Sequence, residues 1–190
     1  RMILSDLGMP ILSMKEAGIN VDVVEDGTSF EENALIKVTE IAKYVENCIV
    51  LADDSGLEID YLNKEPGIYS ARYLGEDTSY DIKNSIILER LAGVPDEKRT
   101  ARFVAAVAAA FPDGTTEVVR GTIEGIIGHK IAGENGFGYD PIFFVNNTIN
   151  KTNMQDISEK AKTQLRVELM SLRDSIDLIL LAIEEVSQNG

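Results

Sequence analysis

The residues best suited to cation chemistry fall in two short stretches, "FEENALIKV" and "LADDSGLEID". The first offers Glu31, Glu32 and Lys37. The second places Asp53 and Asp54 side by side after the apolar run Cys48 to Ala52, which reads as a short buried strand. A simple turn at that point could use Asn-Gly or Asp-Gly, so two adjacent negative charges ask for a reason. Side chains alternate along a strand, so Asp53 and Asp54 should point to opposite sides. One can face a cleft while the other caps a turn before Gly56. Ligands of α/β sheets bind at the carboxyl ends of strands, which favours Asp54 as the functional member; an Asx-type turn is the plainer reading. Glu32 also has two readings. It lies three residues after Ser29 in a capping-box pattern, which is the better reading of the residue alone, or it is a metal ligand.

The rest of the chain narrows the chemistry. There is one histidine, His129, and one cysteine, Cys48. Multi-histidine metal sites are excluded, and His129, in a Gly-rich segment without a triad motif, reads as a solvent-facing or loop residue. Cys48 has no local partner to activate it and reads as a small core residue in a reducing, cytoplasmic compartment. No P-loop or dinucleotide fingerprint is present. Any metal is therefore held by oxygen ligands, which suits Mg²⁺.

A second cluster is "GENGFGYDPIFF". Gly133, Gly136 and Gly138 surround Phe137 and let the backbone approach a ligand closely. Pro141 pushes Asp140 towards an extended conformation. An aromatic ring between glycines, followed by a fixed carboxylate, could form a flat slot with one acceptor. A purine base fits that description, since stacking on a ring is worth about 1–3 kcal/mol per base. The alternative is a Gly-rich turn whose Phe and Tyr pack into the core.

These residues need elements to position them. "TSFEENALIKVTEIAKYVEN" predicts a helix with Ala34, Val38, Ile41, Ala42 and Val45 on one face. "YDIKNSIILERLAG" predicts a second helix, capped near Thr78 or Ser79 and ended by Gly93 and Pro95. Phe103, Ala105, Val107, Ala109 and Phe111 alternate, and Pro112-Asp113-Gly114 is a turn, so residues 101–127 read as a β-hairpin. Pro10 to Ser13 and "PIFFV" are further strand candidates. Leu165, Leu169, Leu172, Ile176, Ile179 and Ile183 make a long amphipathic helix. Arg1 to Gly8 resembles the second half of a helix without its cap, so upstream sequence is expected. The 190 residues suit one α/β domain with a mixed sheet.

Eighteen Lys and Arg against thirty-two Asp and Glu give a net charge of −14, which repels phosphate backbones and argues against nucleic-acid coating. A polyanionic ligand must be met locally, by a few cations. No apolar run is long enough to span a bilayer.

"FEENALIKV", "LADDSGLEID", "PGIYSARY" and "GENGFGYDPIFF", in that order, closely resemble the inosine triphosphate pyrophosphatase family, which hydrolyses non-standard purine nucleoside triphosphates such as ITP, dITP and XTP. The resemblance runs from about Arg1 to about Lys162. It implies an elongated, two-lobed α/β fold around a mixed central sheet with flanking helices, a nucleotide cleft between the lobes, a homodimer and Mg²⁺ dependence. It further implies that Asp54 and Glu32 hold Mg²⁺ and that Asp54 orients or deprotonates the attacking water. Asp53 would support the turn, Lys37 would contact phosphate, and Ser55 and Gly56 would lie against the substrate. Phe137 would stack on the base, Asp140 would lie at its edge, and Lys162 would reach the nucleotide. Arg72 of "SARY" stays open between phosphate contact and dimer contact.

The chain departs from that pattern twice. The family's first strand and T-G-N-x-x-K segment are not in this sequence. Where the family carries Ser-His-Arg before its last helix, the best match here is Arg166-Val167-Glu168. Both segments grip the nucleotide, so the expectation is an intact metal site with a weakened substrate grip. A catalytically silent nucleotide-binding or dimerising protein, and a pyrophosphatase with an altered substrate, are the alternatives.

Overall fold

The structure, a computed structural model, describes residues 10–133 and 137–145. The chain falls into two compact units, Arg1–Asn20 with Glu159–Gly190, and Val21–Ser158. In the first, residues 10–20 are described. Pro10 to Ser13 is not a strand: the Ser13 N–H goes to Glu16 Oε2 at 2.8 Å, and Ala17 N donates to Ser13 O at 3.0 Å, which closes a turn instead. Expectations for residues 1–9, 134–136 and 146–190, including the first and last helices, lie outside the described residues.

The second unit contains α1 (Phe30–Ala42), β1 (Val50–Ile59), α2 (Tyr80–Arg90), β2 (Thr100–Ala110), β3 (Thr116–Ile127) and β4 (Phe143–Val145). Both helices start at the expected caps. Ser29 accepts from Glu32 N, and Ser79 accepts from Ile82 N. The strands form one sheet in the order β1-β2-β3-β4. Every described pair is antiparallel, where a mixed sheet was expected. The hairpin explains one of the three pairs. Phe111 N donates to Thr115 O at 2.9 Å, Asp113 takes the Thr115 N–H, and Gly114 has a positive φ of 88°, so β2 reverses directly into β3.

β1 corrects the expectation for "DDSG". The strand starts at Val50 and runs straight through Asp53–Gly56, pairing Val50 with Ala110 through Ile59 with Ala101. There is no turn for Asp53 to support, because ten paired positions outweigh the weak strand preference of Asp and Gly. Cys48 falls before the strand and is exposed rather than buried, with its thiol on Glu46 O at 3.2 Å.

The hairpin is formed as expected, and the structure decides which of its two faces lies under α1. Val104, Ala106, Ala108 and Ala110, not the Phe103-to-Ala109 stripe, lie under α1 and form one core with Phe30, Ala34 and Val38. The alanines leave room for the helix to come close to the sheet. The opposite face, near Ala101, packs with Leu57, Ile59 and Ile127 against Ile87 and Leu91 of the α2 region.

On the α1 side of the sheet, beyond the alanines, Arg102 makes two bonds of 3.1 Å to Asp60 and one of 2.8 Å to Glu124. Asp60 also accepts from Lys64 and, at 2.6 Å, from Thr100 Oγ1. Partial burial raises the Asp60 pKa, but the Arg102, Lys64 and Thr100 donors outweigh it and hold the carboxyl well below its usual range. A depressed carboxylate pKa stabilises the fold above the unfolded value and loses that contribution as pH falls through the folded value. Asp60 is a third exposed, so its contribution is about 1 kcal/mol after screening. Urea titrations below pH 4 should show wild type losing this increment with falling pH, while Asp60→Asn lacks it at neutral pH and shows a flatter acid limb.

Candidate active site

α1 buries Phe30, Ala34, Val38 and Ile41, so Asn33 and Lys37, one turn apart, fall on a shared flank. That flank faces β1. Asp54 sits opposite Ala106 in the sheet register and therefore projects to the α1 side. Asn33 Nδ2 donates to Asp54 Oδ2 at 3.0 Å, and Lys37 Nζ donates to Asp54 Oδ1 at 3.1 Å. Each carboxylate oxygen is thus fixed by one donor. Lys37 Nζ also donates to Asp53 O at 2.9 Å and pairs with Glu25 Oε1 at 3.2 Å.

The segment carrying Glu25 is fastened by the same asparagine. Gly27 N donates to Asn33 Oδ1 at 3.0 Å, so the buried Asn33 uses both ends of its amide. A Cβ at Gly27 would stand 2.7 Å from Asn33 Oδ1, so only glycine allows this approach. Glu25 and Asn33 were not singled out from the sequence. The signals were the "EDG" turn before the Ser29 cap and the i, i+4 relation of Asn33 to Lys37.

Glu32 lies at the helix cap, with its N–H on Ser29 Oγ and its carboxylate on Thr28. Its Oε2 accepts from Thr28 N at 2.6 Å and Thr28 Oγ1 at 2.7 Å, one residue upstream of the Ser29 cap. These bonds, the backbone one first, hold its carboxyl below the ordinary value. Asp53 and Ser55 are exposed on the sheet face away from Asp54. Gly56 is buried, and a Cβ there would lie 2.6 Å from Gly67 O and 2.9 Å from Ser70 Cβ, so packing alone accounts for its missing side chain.

Among the described residues no three His, Cys, Asp or Glu side chains converge as a metal cage. Asp54 and Glu25, either side of the Lys37 ammonium, offer one or two carboxylates instead. That donor set fits Mg²⁺, which commonly takes one or two carboxylates and completes its shell with water and substrate phosphate. A cavity of about 360 Å³ lies at the other end of α1, lined by Ala42, Cys48 and Phe111 among others, and none of the candidate residues lines it.

The second cluster divides between its two readings. Phe137 is 85% exposed and is not a core residue, whereas Tyr139 is buried, with its hydroxyl donating to Ser70 O at 2.8 Å. Asp140 Oδ2 accepts from Phe137 N at 3.2 Å, and Asp140 N donates back to Phe137 O at 3.1 Å. Desolvation pushes the Asp140 carboxyl up, and the Phe137 N–H offsets part of that. Ser70 joins the two clusters, because its Oγ accepts from Leu57 N of β1 at 2.9 Å. Arg72 lies over the Tyr69 ring, 5.0 Å from its centroid. His129 is exposed and meets Asp96 at 2.6 Å, as expected of a solvent-facing histidine. Lys162 and Arg166-Val167-Glu168 lie outside the described residues.

The fold and the site define an α/β class of protein that holds an Asp between an amide and an ammonium and exposes an aromatic beside a glycine. Within that class, the chain belongs to the Ham1 family, whose model matches residues 1–174. It is 49% identical over 148 residues to the dITP/XTP pyrophosphatase of Clostridium perfringens, covering 75% of this chain and 72% of that protein. It is 43% identical over 176 residues to the dITP/XTP pyrophosphatase of Caldanaerobacter subterraneus subsp. tengcongensis, covering 92% and 86%. The crystal structure of the nucleoside-triphosphatase / dITP/XTP pyrophosphatase of Mycobacterium abscessus matches with a TM-score of 0.73 at 36% identity, covering 89% of this chain and 90% of that one. The Staphylococcus aureus Ham1 protein matches with a TM-score of 0.71 at 38% identity, covering 90% of each.

Asn33→Ala should leave Gly27 N and one Asp54 oxygen without their partner. Chemical denaturation should report a loss of about 1–3 kcal/mol, the cost of buried groups left unpaired. Turnover should fall as well, because Asp54 is then held by Lys37 alone.

Proposed function

We propose that this chain hydrolyses non-standard purine nucleoside triphosphates, dITP and XTP foremost with ITP, to the monophosphate and pyrophosphate with Mg²⁺. The observation that carries the reading is the Asn33–Asp54–Lys37–Glu25 cluster, found on a chain whose relatives are dITP/XTP pyrophosphatases. Mg²⁺, when bound, neutralises triphosphate charge and polarises the attacked phosphorus.

The remaining steps belong to the chain's own residues. Asp54, with its oxygens oriented by Asn33 and Lys37, accepts the proton of the attacking water. Lys37 carries positive charge to the phosphates in a protein that is otherwise strongly acidic. Phe137 stacks on the base, and Asp140 accepts its N1–H. Hypoxanthine and xanthine supply that donor. Adenine presents a bare acceptor to the carboxylate, and the base contact is lost at a cost of about 1–3 kcal/mol. Lys162 adds a further nucleotide contact, and the active form is a homodimer with the cleft between two lobes.

Pyrophosphate release with and without Mg²⁺ tests the site. Asp54→Asn keeps shape and removes charge, so turnover should fall by orders of magnitude with nucleotide binding retained. Glu25→Gln should raise the Mg²⁺ concentration needed for half-maximal rate, whereas Glu32→Gln should act mainly on stability through the Thr28 cap. The reverse ranking would return the second ligand to Glu32. No pyrophosphate from dITP, XTP or ITP at any Mg²⁺ concentration would sink the enzymatic reading and favour the silent nucleotide-binding one, to which Arg166-Val167-Glu168 lends weight.

Asp140 adds a pH dependence. Ionised, it accepts strongly and offers adenine N1 no proton; protonated, it accepts weakly and can donate to that bare nitrogen, and desolvation raises its pKa above the ordinary aspartate value. Preference for dITP over dATP should therefore hold at neutral pH and decline, as pH falls, sooner than for an unperturbed aspartate. Asp140→Asn should give a low, flat preference across the same range.

A further inference from the structure

α2 carries none of the residues assigned above, yet one face of it holds the loop on which base recognition is placed. Tyr80, Lys83 and Asn84 share that face at i, i+3 and i+4. Asn84 is 1% exposed, and its Nδ2 donates to Gly138 O at 3.0 Å, across 54 residues of sequence. The Tyr80 ring stands edge-on to Tyr139, with centroids 5.2 Å apart and planes at 86°. Lys83, also buried, donates to Ala71 O at 2.5 Å and lies over the Tyr80 ring. The same face thus grips both the "SARY" segment and the Gly138 loop.

We propose that Asn84 is a positioning residue for purine recognition, acting through the Gly138 carbonyl to set the direction of Phe137. The inference rests on Phe137 and Asp140 forming the base slot. Phe137 is almost wholly exposed, so core packing does not orient it. Its backbone is held by the two bonds with Asp140 and by the peptide at Gly138, which has φ +60° and no side chain to limit its freedom. Tyr139 anchors the residue after it through Ser70, and Asn84 is the side-chain donor on Gly138 itself. The amide orientation is fixed, since a flip would set Oδ1 against the Gly138 oxygen. In that orientation Asn84 Oδ1 is buried with no hydrogen-bond partner among the described residues. A leucine would fill such a place without that penalty. What an asparagine adds there is the bond to Gly138.

The test is steady-state kinetics with dITP and dATP for wild type, Asn84→Ala, Phe137→Ala and the double variant. Asn84→Ala should raise KM for dITP roughly three- to tenfold, the worth of one hydrogen bond, with kcat changed less than about twofold. KM for dATP should move less, so the preference falls. In the Phe137→Ala background the Asn84 effect should vanish, because the ring it orients is gone. Asn84→Ser carries the same expectations if Asn84→Ala does not fold. Equal losses on both substrates, additive with Phe137→Ala and tracking a lower Tm, would overturn the positioning role. A raised KM for Phe137→Ala with an unchanged one for Asn84→Ala would overturn this inference and leave the base slot standing. An unchanged KM for Phe137→Ala would overturn both.

Discussion

The site depends on how closely α1 lies against the sheet. Asn33 and Lys37 reach Asp54 only because the helix rests on Val104, Ala106, Ala108 and Ala110, three of which are alanines. Larger side chains there would lift the helix and break two bonds of 3.0 and 3.1 Å at once, since hydrogen bonds weaken steeply with distance and angle. The apolar contact and the polar site are therefore one construction. The helix's buried stripe sets its height and rotation, and the rotation places positions 33 and 37 at the edge where β1 passes.

That construction also deals with the charge. A chain with net charge −14 is proposed to receive a triphosphate, so attraction must come from a few fixed groups. Lys37 stands between Asp54 and Glu25 and is held by a backbone carbonyl as well. Its ammonium marks the point where the protein already arranges oxygen atoms around a cation.

Ser70 connects this half of the site to the other. Its hydroxyl is taken up by Leu57 N on the strand that carries Asp54, and its carbonyl by the buried Tyr139. Gly56 lacks a side chain so that Ser70 can come this close. The motifs "LADDSGLEID", "PGIYSARY" and "GENGFGYDPIFF", far apart in sequence, thus share a physical reason to occur together. Under the proposed function the loop meets the base and the strand the phosphates, so the two must keep a fixed relation for one substrate to reach both.

Much of this was legible in the sequence because it is local. Ser29 and Ser79 cap their helices through bonds three residues away, Pro112-Asp113-Gly114 closes a hairpin through its own backbone, and the spacing of Ala34, Val38 and Ile41 defines a buried stripe. Asp54 and Lys37 were also identified there, by motif and by resemblance. What the sequence did not determine is non-local. Whether "DDSG" turns or stays extended is decided by ten pairings with β2, a strand some fifty residues later, and those pairings override the turn preference of Asp and Gly. Which face of β2 lies under α1 and which packs towards α2 is decided by where the helices land, and alternation gives two faces without choosing between them. The parts of Glu25, Asn33 and Asn84 appear only in the fold, because each acts on an atom brought to it by packing: the Lys37 ammonium, the Asp54 carboxylate and the Gly138 carbonyl.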